Sequence, residues 1–289
     1  MILVTGATGQ FGNAAINFLL QKGVKAEQIV ALVRSEAGVA AMNEKGIRSA
    51  IGDYTDYTSL VNAFNGVEKL LFVSGSDIGQ RLTQHHNVIS AASEAGVKHV
   101  VYTSFQRKNE TETSPLWIVA NSHLQTEALL KASGMDYTIL KNNLYMDFIP
   151  AFVGEHVLQT GLIYLPAGSG KVAAVLRSEM AEATATVLTT PNHEGKEYDF
   201  THSEAVSYQD VAQFISERTG QVIRYVSPTA AEYAVTLAKY QVPNEVIGLF
   251  SGFAIAQAQG ELDVVSHTLE ELLGRKPTSV RAFLNQIYS

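Results

Sequence analysis

Short apolar runs alternate with stretches of helical spacing along the first half of the chain. ILVT (2–5) reads as a buried strand. QFGNAAINFLLQKG (10–23) follows, with Phe11, Ala15, Phe18 and Leu19 at the spacing of one helix face. Strand-like runs recur at 28–34, within 46–53, and at 69–74, 99–104 and 136–143. The helical stretches SLVNAFNG, TQHHNVISAASEAG and HLQTEALLKASG separate the later ones. Strands rich in Val, Ile and Leu throughout, rather than at every second position, are covered on both faces. Such strands alternating with helices over short connections predict a doubly wound α/β domain with a parallel sheet, over residues 1–150. From 151 to 289 the pattern changes. KEYDFT (196–201) and VIRYVS (222–227) read as two short strands flanking a helix at 207–219, and the chain is mostly helical from Pro228 onward. This predicts a smaller, mostly helical C-terminal α/β lobe for substrate binding, interleaved with the sheet domain.

The first strand runs into Gly6, Gly9 and Gly12. Gly6 suits a tight turn, Gly9 lets backbone and pyrophosphate approach, and Gly12 lets the helix sit close on the strand. The helix start then presents free N–H groups to a phosphate. The spacing is GxxGxxG rather than GxGxxG, so its context between a strand and a helix carries the reading. Thr8, Gln10 and Phe11, inside the same motif, are expected cofactor contacts. The second strand ends in Arg34, where an NAD-binding chain would place a carboxylate. A guanidinium suits a 2′-phosphate, so NADP(H) is the expected dinucleotide. Asp53, after the third strand, either meets the adenine edge or caps a helix beginning near Thr55. In VSGS (73–76), Ser74 and Gly75 either let the cofactor lie flat or form a plain turn.

Composition narrows the classes. The 289 residues are 46% hydrophobic and 17% charged, which suits a globular interior. A net charge of -7 argues against nucleic acid as a partner. With no cysteine, disulfides, thiolate nucleophiles and zinc–thiolate sites are excluded. The eight histidines show no metal-ligand spacing, so no metal is expected. No signal peptide or bilayer-spanning run is read, and the expected setting is the cytoplasm, away from membranes, as a monomer or homodimer. GSGK (168–171) lacks the full P-loop pattern, and there is no GxSxG elbow.

TGATGQFG, ALVRS, GDY, LLFVSG, GVKHVVYTS and YTILKNNLYMDF together resemble the NmrA-like branch of atypical short-chain dehydrogenases, and the likeness extends over nearly the whole chain. It is strongest toward the branch's quinone and triphenylmethane-dye reductases. The resemblance implies a Rossmann-type domain, NADPH, and a substrate cleft between that domain and the C-terminal lobe. Ordinary short-chain dehydrogenases carry Tyr-x-x-x-Lys on the helix after the fifth strand. Aligning SHLQTE on the family pattern puts Val119 at the Tyr position and His123 at the Lys position, with Ser104 at the triad serine.

A positioned general acid is worth about 10²–10⁴ in rate. Its loss weighs heavily on a ketone and lightly on a quinone or dye that accepts hydride readily. The expected function is therefore NADPH-dependent hydride transfer to a quinone-like or other electron-poor aromatic acceptor. The alternative is a non-catalytic NADP(H)-binding redox sensor. His123 is expected to bond the nicotinamide ribose or to protonate a reduced quinone oxygen; a helix-surface role competes. Asn142 or Asn143, with Asn143 preferred, is a candidate for bonding a substrate carbonyl. Tyr145 and Phe148 are candidates for stacking on the acceptor, and Tyr145 for the catalytic set; core packing competes for both rings. Trp117 is a candidate wall of the same cleft.

Overall fold

The computed structural model describes residues 1–288. The first half is a regular alternation: β1 (Ile2–Val4), α1 (Gln10–Gln21), β2 (Ile29–Val33), α2 (Glu36–Asn43), β3 (Arg48–Ile51), α3 (Tyr57–Phe64), β4 (Lys69–Phe72), α4 (Arg81–Glu94), β5 (His99–Phe105), α5 (Trp117–Ala132) and β6 (Asp136–Asn142). There follow α6 (Ile149–Val153), α7 (Val157–Thr160), β7 (Leu162–Tyr164), β8 (Lys171–Val172), α8 (Arg177–Thr189), β9 (Lys196–Phe200) and β10 (Val206–Ser207). The chain finishes with α9 (Tyr208–Thr219), β11 (Arg224–Val226), α10 (Ala230–Lys239), α11 (Asn244–Ala258), α12 (Thr268–Leu273) and α13 (Val280–Ile287).

Seven parallel strands form the main sheet in the order β3-β2-β1-β4-β5-β6-β9. Every residue of β2 and of β5 is buried, as expected of central strands covered on both faces. One face packs under α1 and α8 through Val4, Phe11, Ile16, Leu19, Met180 and Val187. The other packs under α3, α4 and α5 through Leu3, Leu60, Phe64, Val88 and Leu130. A third core, including Phe152, Ile163, Tyr208, Ile215 and Leu284, lies in the C-terminal part. Two small sheets serve that part: β8 antiparallel to β10, and β7 parallel to β11.

The structure differs from the hydrophobic pattern at two places. Residues 196–200 do not join the C-terminal strands; they pair in parallel with β6, from Thr138 opposite Lys196 to Asn142 opposite Phe200. As an edge strand β9 keeps exposed and half-buried positions, so it lacks the apolar run of the inner strands. α2 lacks the apolar stripe that marks α1: only Gly38 and Met42 of its eight residues are buried. Strand order reverses between β1 and β4, and a crevice at that switch point, outside the carboxyl ends of the strands, is where such sheets bind ligands. No helix among the described residues is long and apolar enough to cross a membrane.

Candidate active site

The glycine turn follows β1, at the switch point. Gly6 has φ +58°, in the left-handed region. A Cβ on Gly12 would stand 2.4 Å from the Gly6 carbonyl oxygen, so only glycine lets α1 approach β1 this closely. Gly9 is the N-cap residue of α1, and its N–H donates to the Gly6 carbonyl at 2.9 Å. No side chain caps α1 and no acid occupies its first turn. The helix therefore keeps unfilled N–H donors and a positive end beside exposed Thr8 and Gln10, the arrangement that accepts a phosphate. The sequence-predicted motif residues come together here, with Phe11 turned into the core.

Arg34 emerges exposed from the end of β2, close enough to Asp53 to help hold that carboxyl below its usual range. The larger cause is Thr55, whose hydroxyl and backbone N–H both donate to Asp53 Oδ1. The α3 cap is Asp56, whose carboxylate accepts from the Ser59 N–H, so Asp53 does not cap that helix. Tyr54 was not singled out from the sequence. Its hydroxyl reaches Thr5 Oγ1 at 2.5 Å and the Val73 carbonyl at 2.7 Å, which ties the ends of β1 and β4 together at the switch point.

Beyond β4, a polar network links α4, β5 and α5. Gly75 donates its N–H to His85 Nε2 at 2.9 Å and accepts from Arg81 Nε at 2.7 Å. Ser74 donates its N–H to Thr103 Oγ1 at 2.9 Å. His123 is 4% exposed, so it is not a surface histidine. Its Nδ1 lies 2.7 Å from the Tyr102 hydroxyl and its Nε2 lies 3.4 Å from Arg81 Nη1. Burial, then the nearby Arg81 charge, pushes its pKa well below the ordinary value and leaves the ring neutral. Burial likewise takes His85 down to about 3. Ser104 is buried and its hydroxyl donates to Glu127. Glu127 is also gripped by both Nη atoms of Arg107, at 2.8 and 2.9 Å, in a buried fork. The Ser104 hydroxyl is thereby committed within the protein, and Val119 packs in the C-terminal core.

The edge of β6 carries the aromatic wall. Tyr145 and Phe148 stack with centroids 6.2 Å apart, and Phe11 from the glycine motif stands 6.5 Å from Tyr145. The Arg177 guanidinium lies over both rings, 4.6 Å from the Tyr145 centroid and 5.1 Å from that of Phe148. Phe148 is 44% exposed and Tyr145 half-buried, so these two rings are not sealed in a core, whereas Phe11 is. Trp117, half-buried at the start of α5, takes no part in this ring cluster among the described residues. Asn143 is internally satisfied: its Nδ2 donates to Gln106 Oε1 at 2.9 Å and to the Leu262 carbonyl at 3.0 Å, and its Oδ1 accepts from the Leu144 N–H at 2.6 Å. Asn142 differs. Its Nδ2 makes one long bond of 3.3 Å to the Tyr145 hydroxyl, and its buried Oδ1 has no protein partner among the described residues. The amide left with spare capacity beside the aromatic wall is thus that of Asn142, while Asn143 has no free donor.

A strand-order switch point with an uncapped glycine-turn helix, a guanidinium after the second strand and an aromatic wall defines a dinucleotide-dependent reductase of Rossmann type. The chain belongs to the NmrA-like family, whose model matches residues 1–284. It is 36% identical over 289 residues to quinone oxidoreductase 2 of Escherichia coli (strain K12), covering 100% of this chain and 99% of that protein. A crystal structure of the NADPH-dependent quinone oxidoreductase QOR2 from E. coli, complexed with NADPH, superposes with a TM-score of 0.91 at 35% identity, over 100% of both chains. Triphenylmethane reductase of Citrobacter sp., complexed with NADP(H), gives a TM-score of 0.90 at 35% identity, over 100% of this chain and 99% of that one. The chain is an NADPH-dependent oxidoreductase, and NADP(H) is its cofactor.

Proposed function

We propose that this protein reduces quinone-like, electron-poor aromatic acceptors with NADPH, without a proton donated by a side chain. When bound, NADPH supplies hydride from its nicotinamide ring. The α1 N–H groups would hold the pyrophosphate, and Arg34 would pair with the 2′-phosphate. Tyr145 and Phe148 would present flat apolar faces to a planar acceptor, with Asn142 as the amide that orients it. Arg177 holds the orientation of Tyr145 and Phe148 from one side. The names of the similar proteins, a quinone oxidoreductase and a triphenylmethane reductase, support an acceptor of this kind.

The observation that carries the reading is the enclosed His123, 4% exposed and held through Nδ1 at 2.7 Å from the Tyr102 hydroxyl. At the position read as the family's lysine stands an imidazole that burial and Arg81 keep unprotonated near neutral pH. Its single ring proton, on Nδ1, is engaged with the Tyr102 hydroxyl rather than offered to an acceptor. Tyr102 and Tyr145 are no better acids, since burial raises both phenols. A reduced quinone oxygen then takes its proton from water, which a stable hydroquinone anion tolerates and a ketone-derived alkoxide does not. The protein's contribution is orientation and exclusion of side reactions.

The test is nicotinamide absorbance with a panel of benzoquinones and naphthoquinones under anaerobic conditions. Turnover across several members supports the reading. Tight NADPH binding with no turnover on any of them would replace it with the redox sensor.

A further inference from the structure

Arg81 is the first residue of α4 and is only 7% exposed. A guanidinium carries five N–H donors. Here one good bond is made, from Nε to the Gly75 carbonyl at 2.7 Å. The contacts from Nη1 to Ser122 Oγ and His123 Nε2 are long, at 3.5 and 3.4 Å. Arg107, Arg275 and Arg281 each hold a carboxylate; among the described residues Arg81 holds none. A buried, unpaired cation is costly, and its cost falls when an anion or a set of oxygen acceptors arrives.

The fold says which part of the cofactor arrives. The glycine turn and Arg34 belong to β1 and β2, in the half of the sheet that takes the adenosine end. The neighbours of Arg81 belong to the other half: Gly75 and Asp77 follow β4, Tyr102 stands on β5, Ser122 and His123 stand on α5, and Tyr145 follows β6; the Asp77 carboxylate bears on it without forming an ion pair. Gly75 and His123 also fix its direction. The His123 Nε2 lone pair faces the guanidinium, which places the ring proton on Nδ1, toward Tyr102. A lysine at position 123 would place a second cation beside Arg81, so an uncharged ring there and a cation on α4 belong together.

We propose that Arg81 binds the nicotinamide mononucleotide half of NADP(H), with His123 as its positioning partner. The cation at the hydride-donating end is therefore supplied by α4. The inference rests on the NADP(H) assignment and is independent of which acceptor the enzyme takes.

The test is direct binding, with no acceptor present. NADPH and adenosine 2′,5′-bisphosphate, which lacks the nicotinamide mononucleotide half, are titrated into wild type, Arg81→Met and Arg34→Ala by calorimetry. Arg81→Met is expected to weaken NADPH at least tenfold and to change the bisphosphate less than twofold. Arg34→Ala is expected to weaken both. An equal loss of both ligands in Arg81→Met, or unchanged NADPH affinity, overturns the proposal. If Arg81→Met does not fold, Arg81→Lys is titrated instead, because it keeps the charge and loses the planar fork. A loss of threefold or more for NADPH alone then supports the assignment; equal changes for both ligands overturn it.

Discussion

Two buried neutral histidines make the fold sensitive to mild acid, and the size of the effect can be worked out. His85 is fully buried and His123 is 4% exposed. His85 is pushed down to about 3 by burial and then by Arg81, and His123 is lowered well below its ordinary value by burial first. In the unfolded chain both return to about 6.5. A folded-state pKa below the unfolded one gives stability that is complete above pH 6.5 and drains away as pH falls, because the unfolded chain gains protons that the native rings refuse. Between pH 7 and pH 5 an unfolded histidine goes from about a quarter protonated to nearly full, worth about 2 kcal/mol per ring and about 4 kcal/mol for the pair. That is a large share of the 5–15 kcal/mol typical of a domain. Urea unfolding at pH 7 and pH 5, at fixed ionic strength, measures the loss. His123→Gln keeps a polar amide that cannot titrate, so its loss over this window is expected to be about 2 kcal/mol smaller than that of wild type. Other titrating groups act in both proteins and cancel in the comparison. An equal or larger loss in the variant would refute the claim that His123 is buried neutral.

Gly12→Ala drives a methyl against the Gly6 carbonyl oxygen at 2.4 Å, so it is expected to lower stability by about 1–3 kcal/mol and to weaken NADPH binding; thermal melting and calorimetry check both. Arg34→Ala is expected to cut the preference for NADPH over NADH by at least about tenfold in the ratio of kcat/KM, equivalent to about 1.4 kcal/mol. Glu127→Ala removes the buried half of the Arg107 pairing, leaving Glu110 and the Phe105 carbonyl as its partners, and frees the Ser104 hydroxyl; a loss of about 1–3 kcal/mol in urea unfolding is expected.

The first half of the fold was legible because its information is local. The inner strands β1, β2 and β4 are mostly apolar runs, and the glycine turn is fixed by three residues whose backbone demands show in their identity. β9 was harder to place, because which sheet an edge strand joins is decided by its partner and not by its own pattern. The same division runs through the site. The glycine motif and Arg34 lie on consecutive elements of one β-turn-α-β unit. The Arg81, Tyr102 and His123 network joins three elements that meet only after the sheet has formed. One signal was available: Arg81, His85 and Val88 share a helical face with Ala92, so a charged residue stood on a face that had to be buried. For Asn142 and Asn143 the limit was the strand end. β6 stops at Asn142, and neighbouring side chains there leave in opposite directions, so a one-residue ambiguity exchanges a satisfied amide for a free one.

The central claim is that hydride leaves NADPH for an acceptor that needs no proton from the protein. Its most direct test is a matched pair of acceptors, 1,4-naphthoquinone and 1-tetralone, compared for NADPH oxidation by the same enzyme under anaerobic conditions. The account predicts rapid oxidation with the quinone and a rate at least about 10²-fold lower with the ketone, since a missing general acid costs that much. Comparable rates on the two would contradict it, and would mean that a side chain in the crevice donates the proton after all.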